Sequence, residues 1–119
     1  MGYLSNEEVL KLATKLHFGQ CRWDGEPYIG HPVAVAQMVE DFLSNEDEDR
    51  SYINTAVQTS FLHDVLEDCP VTSEQLLKYR VDPLVIAYCE LLNKKKYSCY
   101  AEYIGTVSTS YYPSIVKYF

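Results

Sequence analysis

The segment Phe61–Pro70, with the sequence FLHDVLEDCP, combines the apolar spacing of a buried helix with four ionisable side chains. A helix is predicted from about Tyr52 to Asp68, and it stops at Cys69-Pro70 because a proline disfavours the α conformation in the residue before it. At about 100° per residue, the ionisable groups share one side of this helix, whereas its apolar residues point elsewhere. The ionisable residues are His63, Asp64, Glu67 and Asp68. The segment therefore favours a helical fold with one chemically unusual face.

That face carries three carboxylates in an otherwise apolar setting. Burying carboxylates without partners costs several kcal/mol each, so the face must meet solvent, bases or a cation. Imidazole and carboxylate together suit a divalent transition metal. An exposed acidic helix end is the simpler alternative, although the helix dipole disfavours negative charge at a C-terminus. From this helix alone, both interpretations remain open.

Helix signals are also dense in the N-terminal part of the chain. The SNEE sequence at 5–8 is a capping box, and apolar residues follow at helical spacing until Gly19. The next segment, 20–30, contains two glycines and a proline and is predicted to be a loop. His31-Pro32 then opens a second helix that runs to about Leu43, with the proline suited to its first position.

The C-terminal half continues this pattern. The TSEQ sequence at 72–75 is a second capping box, which starts a short helix that ends near Tyr79. Asp82-Pro83 provides a cap and a first-turn proline for a helix to Leu92. Further helices are predicted for about 98–107 and from Pro113 onward. No segment alternates as a strand would, so the sequence predicts an all-α bundle of about six or seven helices.

The size and composition of the chain are those of one soluble globular domain, with 119 residues, 47% of them hydrophobic and 23% charged. No apolar run approaches the roughly 20 residues of a membrane span, and the first residues, MGYLSNEEVL, do not resemble a signal peptide. These features favour a cytoplasmic protein.

The acidic balance of the chain bears on its partners. Seventeen acidic and 10 basic residues give a net charge of −7, which disfavours binding to DNA or RNA. A small phosphorylated ligand remains compatible if a metal and local cations offset the field. The four cysteines show no CxxC spacing and are predicted to be buried thiols. They are Cys21, Cys69, Cys89 and Cys99.

Three stretches of the chain, taken in order, carry a resemblance to a known family. They read HFGQCRWDGEPYIGHPVAVAQMV, FLHDVLEDCPVTSEQL and LLNKKKYSCYAEYIGTVS. Together they resemble the HD hydrolase domain of the RelA/SpoT family, and above all its small stand-alone hydrolases of the alarmone (p)ppGpp. The resemblance extends from about Glu8 to Lys117. It implies an all-helical fold, one bound manganese ion, and removal of the 3′-pyrophosphate from ppGpp or pppGpp.

The resemblance also implies roles for individual residues. His31, which precedes Pro32, matches a metal ligand of the family, and so do His63 and Asp64. Glu67 and Asp68 match the acidic pair that positions and deprotonates the attacking water. This assignment agrees with the interpretation of the acidic helix face as a cation site, because a carboxylate pair can hold a water and take its proton.

Substrate contacts are predicted from the same motifs. Arg22 matches an arginine that packs against the guanine base, where a planar guanidinium stacks well. The family commonly has a lysine next, but here Trp23 stands in that place, either as a stacking plane or as a hydrophobic loop anchor. Tyr28 either contacts the ligand or packs the loop. The lysine run at 94–96, beginning with Lys94, either meets phosphates or is a solvated loop.

The end of the sequence departs from the family pattern. The fourth metal ligand of the family is an Asp in a motif of the form VKLADxxxN. Here SIVKYF matches the start of that motif, with Lys117 in the lysine place, and the sequence stops at Phe119. Residues 1–119 are therefore expected to be an HD domain that is cut short or naturally degenerate. The alternative to a hydrolase is a catalytically silent HD module that binds a nucleotide or a protein partner.

Overall fold

The computed structural model describes residues 2–17, 29–46, 48–69, 71–93, 100–107 and 111–118. Within these ranges every regular element is helical, so the predicted all-α fold is confirmed. Seven helices have six or more residues, and an eighth element, α4, is a single turn. The helices are α1 (Asn6–Leu16), α2 (Gly30–Asn45), α3 (Arg50–Leu62), α4 (Val65–Asp68), α5 (Ser73–Lys78), α6 (Pro83–Leu92), α7 (Tyr100–Val107) and α8 (Tyr111–Tyr118).

Three helix starts follow directly from the capping residues. The hydroxyl of Ser5 accepts a hydrogen bond from the amide of Glu8 at 3.3 Å, and the Glu8 carboxylate accepts one from the Ser5 amide at 2.9 Å. Thr72 and Gln75 form the same reciprocal pair at the start of α5. The Asp82 carboxylate caps α6 by accepting from the amide two residues on, at 2.9 Å. Each cap satisfies amides that the first helical turn leaves unpaired.

Helix α3 is the centre of the core, and α1, α2, α6 and α8 all pack against it. Every residue from 56 to 62 is buried. This run includes hydroxyl groups, which bond within the helix: Thr59 donates to the carbonyl of Thr55 at 2.8 Å, and Ser60 donates to that of Ala56 at 2.9 Å. The buried hydroxyls are therefore satisfied, and a helix surrounded by protein can carry them.

The prediction of one continuous helix from Tyr52 to Asp68 is wrong. Helix α3 ends at Leu62, His63 and Asp64 form a turn, and α4 follows as a separate element. The Ser60 carbonyl, which would accept from the amide of residue 64 in a continuous helix, lies 2.7 Å from Nδ1 of His63. The imidazole N–H thus offers this carbonyl a side-chain partner at the point where the helix is interrupted.

Other helix ends differ by smaller amounts. Helix α2 continues to Asn45, and α8 begins at Tyr111, before the predicted start at Pro113. A proline is tolerated in the first turn because the amides there lack helical partners anyway. Helix α1 ends at Leu16, short of the predicted Gly19.

Two further predictions concern thiols and membrane spans. Cys69 and Cys89 are buried thiols, whereas Cys21 and Cys99 lie outside the described residues. In the ranges given above, no helix has both the length and the apolar character needed to cross a membrane.

Candidate metal centre

A pocket of about 280 Å³ lies where the His63–Asp64 turn faces α2 and the C-terminal helices. We call it the metal pocket. Helix α2 contributes His31 from its first turn, the turn between α3 and α4 contributes His63 and Asp64, and α4 contributes Glu67. The remaining wall consists of Val35, Leu92, Tyr103, Val116 and Lys117. Side chains of opposite charge thus line one small cavity.

His31, His63 and Asp64 form a group whose ligand atoms all lie within 4.8 Å of one another. The two imidazole rings meet edge to face, with centroids 5.9 Å apart and planes at 62°. All three side chains are partly buried. The fold therefore joins residues separated by more than 30 positions into one cluster that could hold a metal ion.

The orientation of the His63 ring is fixed by its backbone contact. Nδ1 lies 2.7 Å from the Ser60 carbonyl oxygen, and a carbonyl can only accept a hydrogen bond, so Nδ1 carries the proton. In the neutral ring this leaves Nε2 with an open lone pair. Metal-binding histidines commonly donate their other ring nitrogen to a carbonyl or carboxylate in this way. The contact to Ser60 therefore prepares Nε2 as a ligand atom.

The second contact of His63, with Asp64, has a length that can be compared with the spacing of two ligand atoms around one metal ion. Nε2 lies 3.2 Å from Oδ2 of Asp64. Two ligand atoms at about 2.1 Å from one ion are roughly 3.0–3.4 Å apart for angles between octahedral and tetrahedral. A lone pair and a carboxylate oxygen at this distance repel unless a proton or a cation lies between them. The donor set and its spacing thus fit a divalent metal.

Glu67 lies on the same side of the metal pocket as the cluster. Its amide donates to the Asp64 carbonyl at 3.2 Å, so the one-turn helix α4 begins directly at the cluster. Asp68 is the last residue of α4, and its side chain is outside what the structure describes. The predicted catalytic roles of Glu67 and Asp68 remain predictions.

The opposite wall of the pocket was not assigned to the site from sequence. Nζ of Lys117, on α8, lies 5.4 Å from the centre of the Tyr103 ring, on α7, and Tyr103 is only 2% exposed. This is cation–π geometry. The position of Lys117 in the SIVKYF segment was a signal that could have drawn attention to it, whereas Tyr103 had none.

Two other reactive side chains lie near this region. Burial raises the pKa of the Cys89 thiol well above its usual range, and the charges of Asp64 and Glu90 add to the effect. Cys89 therefore stays protonated and is not a nucleophile. His17 is buried at the end of α1, with Nδ1 3.5 Å from the Cys69 sulfur, and it is not among the described residues that line the metal pocket.

Four predicted substrate contacts lie outside the described residues and remain predictions. They are Arg22, Trp23, Tyr28 and Lys94.

An all-helical domain that brings a histidine of α2 next to the histidine and aspartate of the α3–α4 turn defines a candidate metal-binding helical protein. No family model matches the chain. Among curated proteins, the chain is 45% identical over 65 residues to the guanosine-3′,5′-bis(diphosphate) 3′-pyrophosphohydrolase of Haemophilus influenzae, a match that covers 55% of this chain and 8% of that protein. The protein of the same name from Vibrio cholerae is 46% identical over 65 residues, with the same coverage.

A longer match extends the relationship. The bifunctional (p)ppGpp synthase/hydrolase SpoT of Escherichia coli is 36% identical over 92 residues, which cover 70% of this chain and 12% of that protein. The chain is thus a relative of the RelA/SpoT hydrolases, and the resemblance indicated by its motifs is confirmed. It matches only between 8% and 12% of the length of these relatives.

Proposed function

We propose that residues 1–119 belong to an HD hydrolase domain that removes the 3′-pyrophosphate of ppGpp or pppGpp. The observation that carries this proposal is the convergence of His31, His63 and Asp64 within 4.8 Å, on the residues that match the metal ligands of the family. The names of the relatives, which are 3′-pyrophosphohydrolases of guanosine-3′,5′-bis(diphosphate), supply the substrate.

We further propose that the three side chains hold one divalent ion, and that this ion is manganese. When bound, such an ion supplies Lewis-acid stabilisation of the negative charge on the phosphoryl oxygens. His63 presents Nε2 because its Nδ1–H donates a hydrogen bond to the Ser60 carbonyl. The partial burial of the cluster favours the ion, since few waters compete for the ligand atoms.

Glu67, which lines the metal pocket, is the residue that we propose to act on the water that attacks the substrate. In the proposed reaction, a carboxylate oxygen of Glu67 accepts a proton from this water while the water oxygen bonds to phosphorus. The bond between that phosphorus and the ribose 3′ oxygen breaks, the 3′ oxygen keeps the electron pair and takes a proton from solvent, and GDP or GTP leaves with pyrophosphate as the second product. Asp68 shares the task of holding the water, as the resemblance implies.

The remaining predictions belong to the same proposal. Arg22 stacks on the guanine, Trp23 and Tyr28 border the base, and Lys94 meets a phosphate. The reaction takes place in the cytoplasm, without DNA, RNA or a membrane as partner. The oligomeric state is left open.

The decisive experiment measures release of 3′-pyrophosphate from ppGpp by the 119-residue chain at saturating Mn²⁺ over long incubations. We expect slow release that disappears in Asp64→Ala and falls at least about hundredfold in Glu67→Gln, because general-base catalysis contributes about that much or more. Lys78→Gln, at an exposed position of α5, is the control. GTP, which has no 3′-pyrophosphate, should not be cleaved.

The silent-module alternative predicts a different result. Mn²⁺ and ppGpp would then bind to the wild-type chain, but no pyrophosphate would be released above the level of Asp64→Ala. That outcome would overturn the proposed hydrolase.

A further inference from the structure

The C-terminal wall of the metal pocket carries the positive charge of Lys117, to which the proposed reaction assigns no role. Lys117 lines the pocket, and its ammonium lies over the buried ring of Tyr103 at 5.4 Å. Among the described residues that line the pocket, Lys117 is the only one with a permanent positive charge near neutral pH. The cluster on the other wall bears the carboxylates of Asp64 and Glu67.

The size of the pocket limits what can enter it. At about 280 Å³, it falls just below the roughly 300–1,000 Å³ typical of sites that enclose a complete drug-sized ligand. A nucleoside with two diphosphates exceeds such a space, whereas a single diphosphate group does not. The reacting end of the substrate therefore enters between the two walls, and the nucleoside stays at the mouth.

A diphosphate group in this space carries several negative charges, and its oxygens need partners on both sides. A cation held by His31, His63 and Asp64 would serve one side. We propose that Lys117 serves the other, as the anion-binding residue that pairs with the distal phosphate of the 3′-diphosphate. This inference rests on the proposed function and adds a substrate-binding residue to it.

The contacts of Lys117 are compatible with this role. An ammonium has three donors, so it can keep its present interactions and still donate to a phosphate oxygen. The Tyr103 ring, fixed by burial, restricts the direction of the long side chain and so lowers the entropy lost when the phosphate binds. A role in packing alone would need only the aliphatic part of Lys117, not its charge.

Inorganic pyrophosphate is the probe that separates charge from packing. It is titrated calorimetrically into the chain at saturating Mn²⁺, together with an equal concentration of Mn²⁺ so that the free ion stays nearly constant. We expect Lys117→Met, which keeps the length of the side chain without the charge, to bind pyrophosphate about ten- to hundredfold more weakly. Lys117→Arg should stay within about threefold of wild type, and Lys78→Met should not differ.

Titration with Mn²⁺ alone provides a second readout. Removal of a positive charge near the metal ligands should leave the affinity for Mn²⁺ unchanged or raise it slightly, whereas a collapsed pocket would lower it. Equal pyrophosphate affinity in Lys117→Met and wild type would overturn the inference. If Lys117→Met folds poorly, Lys117→Arg decides: a loss of pyrophosphate binding in this folded, still cationic variant also overturns it.

The inference and the proposed function can fail separately. Pyrophosphate binding that depends on Lys117, in a chain that never cleaves ppGpp, would support the anion site and refute the hydrolase. Cleavage of ppGpp with the same KM in wild type and Lys117→Met would support the hydrolase and refute the role of Lys117.

Discussion

Two pockets of almost equal size lie on different faces of α2, and only one of them gathers potential metal ligands among the described residues. The metal pocket measures about 280 Å³, and a second pocket beside α1 measures about 290 Å³. We call the second one the α1 groove. It is lined by Asn6, Glu7, Leu10, Val33, Ala36, Gln37, Glu40, Val57 and Phe61.

The two pockets differ in how their acidic groups are arranged. The α1 groove also contains two carboxylates, Glu7 and Glu40, but Glu40 pairs with Arg50 at 2.7 Å, close to solvent. Within the described residues, convergence of three or more potential ligand atoms occurs only in the metal pocket. Convergence of ligand atoms, rather than volume or acidic content, therefore distinguishes a candidate site.

The strongest test of this comparison removes one carboxylate from each pocket. Asp64→Ala should abolish the increase in melting temperature that Mn²⁺ causes, because a ligand bound only by the folded state stabilises it by mass action. It should also lower the hydrolysis of ppGpp by about a thousandfold or more, since several kcal/mol of charge stabilisation are lost. Differential scanning fluorimetry and the pyrophosphate assay measure the two effects.

Glu7→Ala, in the α1 groove, is the matched control for that experiment. Its thermal shift with Mn²⁺ should equal that of wild type. Metal binding would not distinguish the two pockets if Asp64→Ala kept the full Mn²⁺-induced shift in melting temperature, or if Glu7→Ala lost it.

A second test removes the support that both pockets share. Leu62 is fully buried at the end of α3, between residues that line the two cavities. Leu62→Ala should lower the free energy of unfolding by about 3 kcal/mol, because it leaves a cavity in a packed core. Leu77→Ala, at a position 53% exposed, should change it by less than about 0.5 kcal/mol. Urea denaturation compares the two, and equal losses would contradict the central place of α3.

A smaller loss of stability, with no loss of metal affinity, is expected when the cap of α1 is removed. Ser5→Ala removes the cap of α1, a helix that lines only the groove, and should cost about 1 kcal/mol of stability. The affinity for Mn²⁺, measured calorimetrically, should not change. Ser51→Ala, at an exposed position in α3, serves as the control. A weaker metal affinity in Ser5→Ala would show that α1 does support the metal ligands.

The smallest effect is expected at the ion pair of the groove. Arg50 and Glu40 are 56% and 36% exposed, and solvent screens their attraction. Glu40→Gln should therefore lower the free energy of unfolding by less than about 1 kcal/mol, and 1 M salt should remove most of the difference. A larger loss of stability that persists in high salt would mean that the ion pair between Arg50 and Glu40 does stabilise the fold substantially.

The helix starts could be predicted because their causes are local. Ser5, Thr72 and Asp82 each cap a helix through bonds to amides two or three residues away, which the sequence alone specifies. The end of α3 could not be predicted in the same way. At that point Nδ1 of His63 reaches the Ser60 carbonyl, a side-chain contact that helical periodicity does not specify.

The candidate site shows the same division. His31, His63 and Asp64 were predicted from motifs, since their residue types and order carry the signal, and the structure brings them together. Tyr103 and Lys117 were not assigned to the site because only tertiary packing brings α7 and α8 to the cluster. Arg22, Trp23, Tyr28 and Lys94 remain predictions from sequence.

The buried run at the end of α3 has a consequence for the order in which the cluster assembles. Residues 56–62 are all shielded, so their amides should exchange with solvent as slowly as any in the domain, and His63 follows them directly. His31 instead lies in the first turn of α2, where the capping position is Ile29, which has no polar side chain to offer. We therefore expect His63 and Asp64 to keep their positions through most native-state openings, and an opening that separates the cluster to begin at the first turn of α2. Capture and release of an ion would then require the opening of one helical turn, and not the unfolding of the domain.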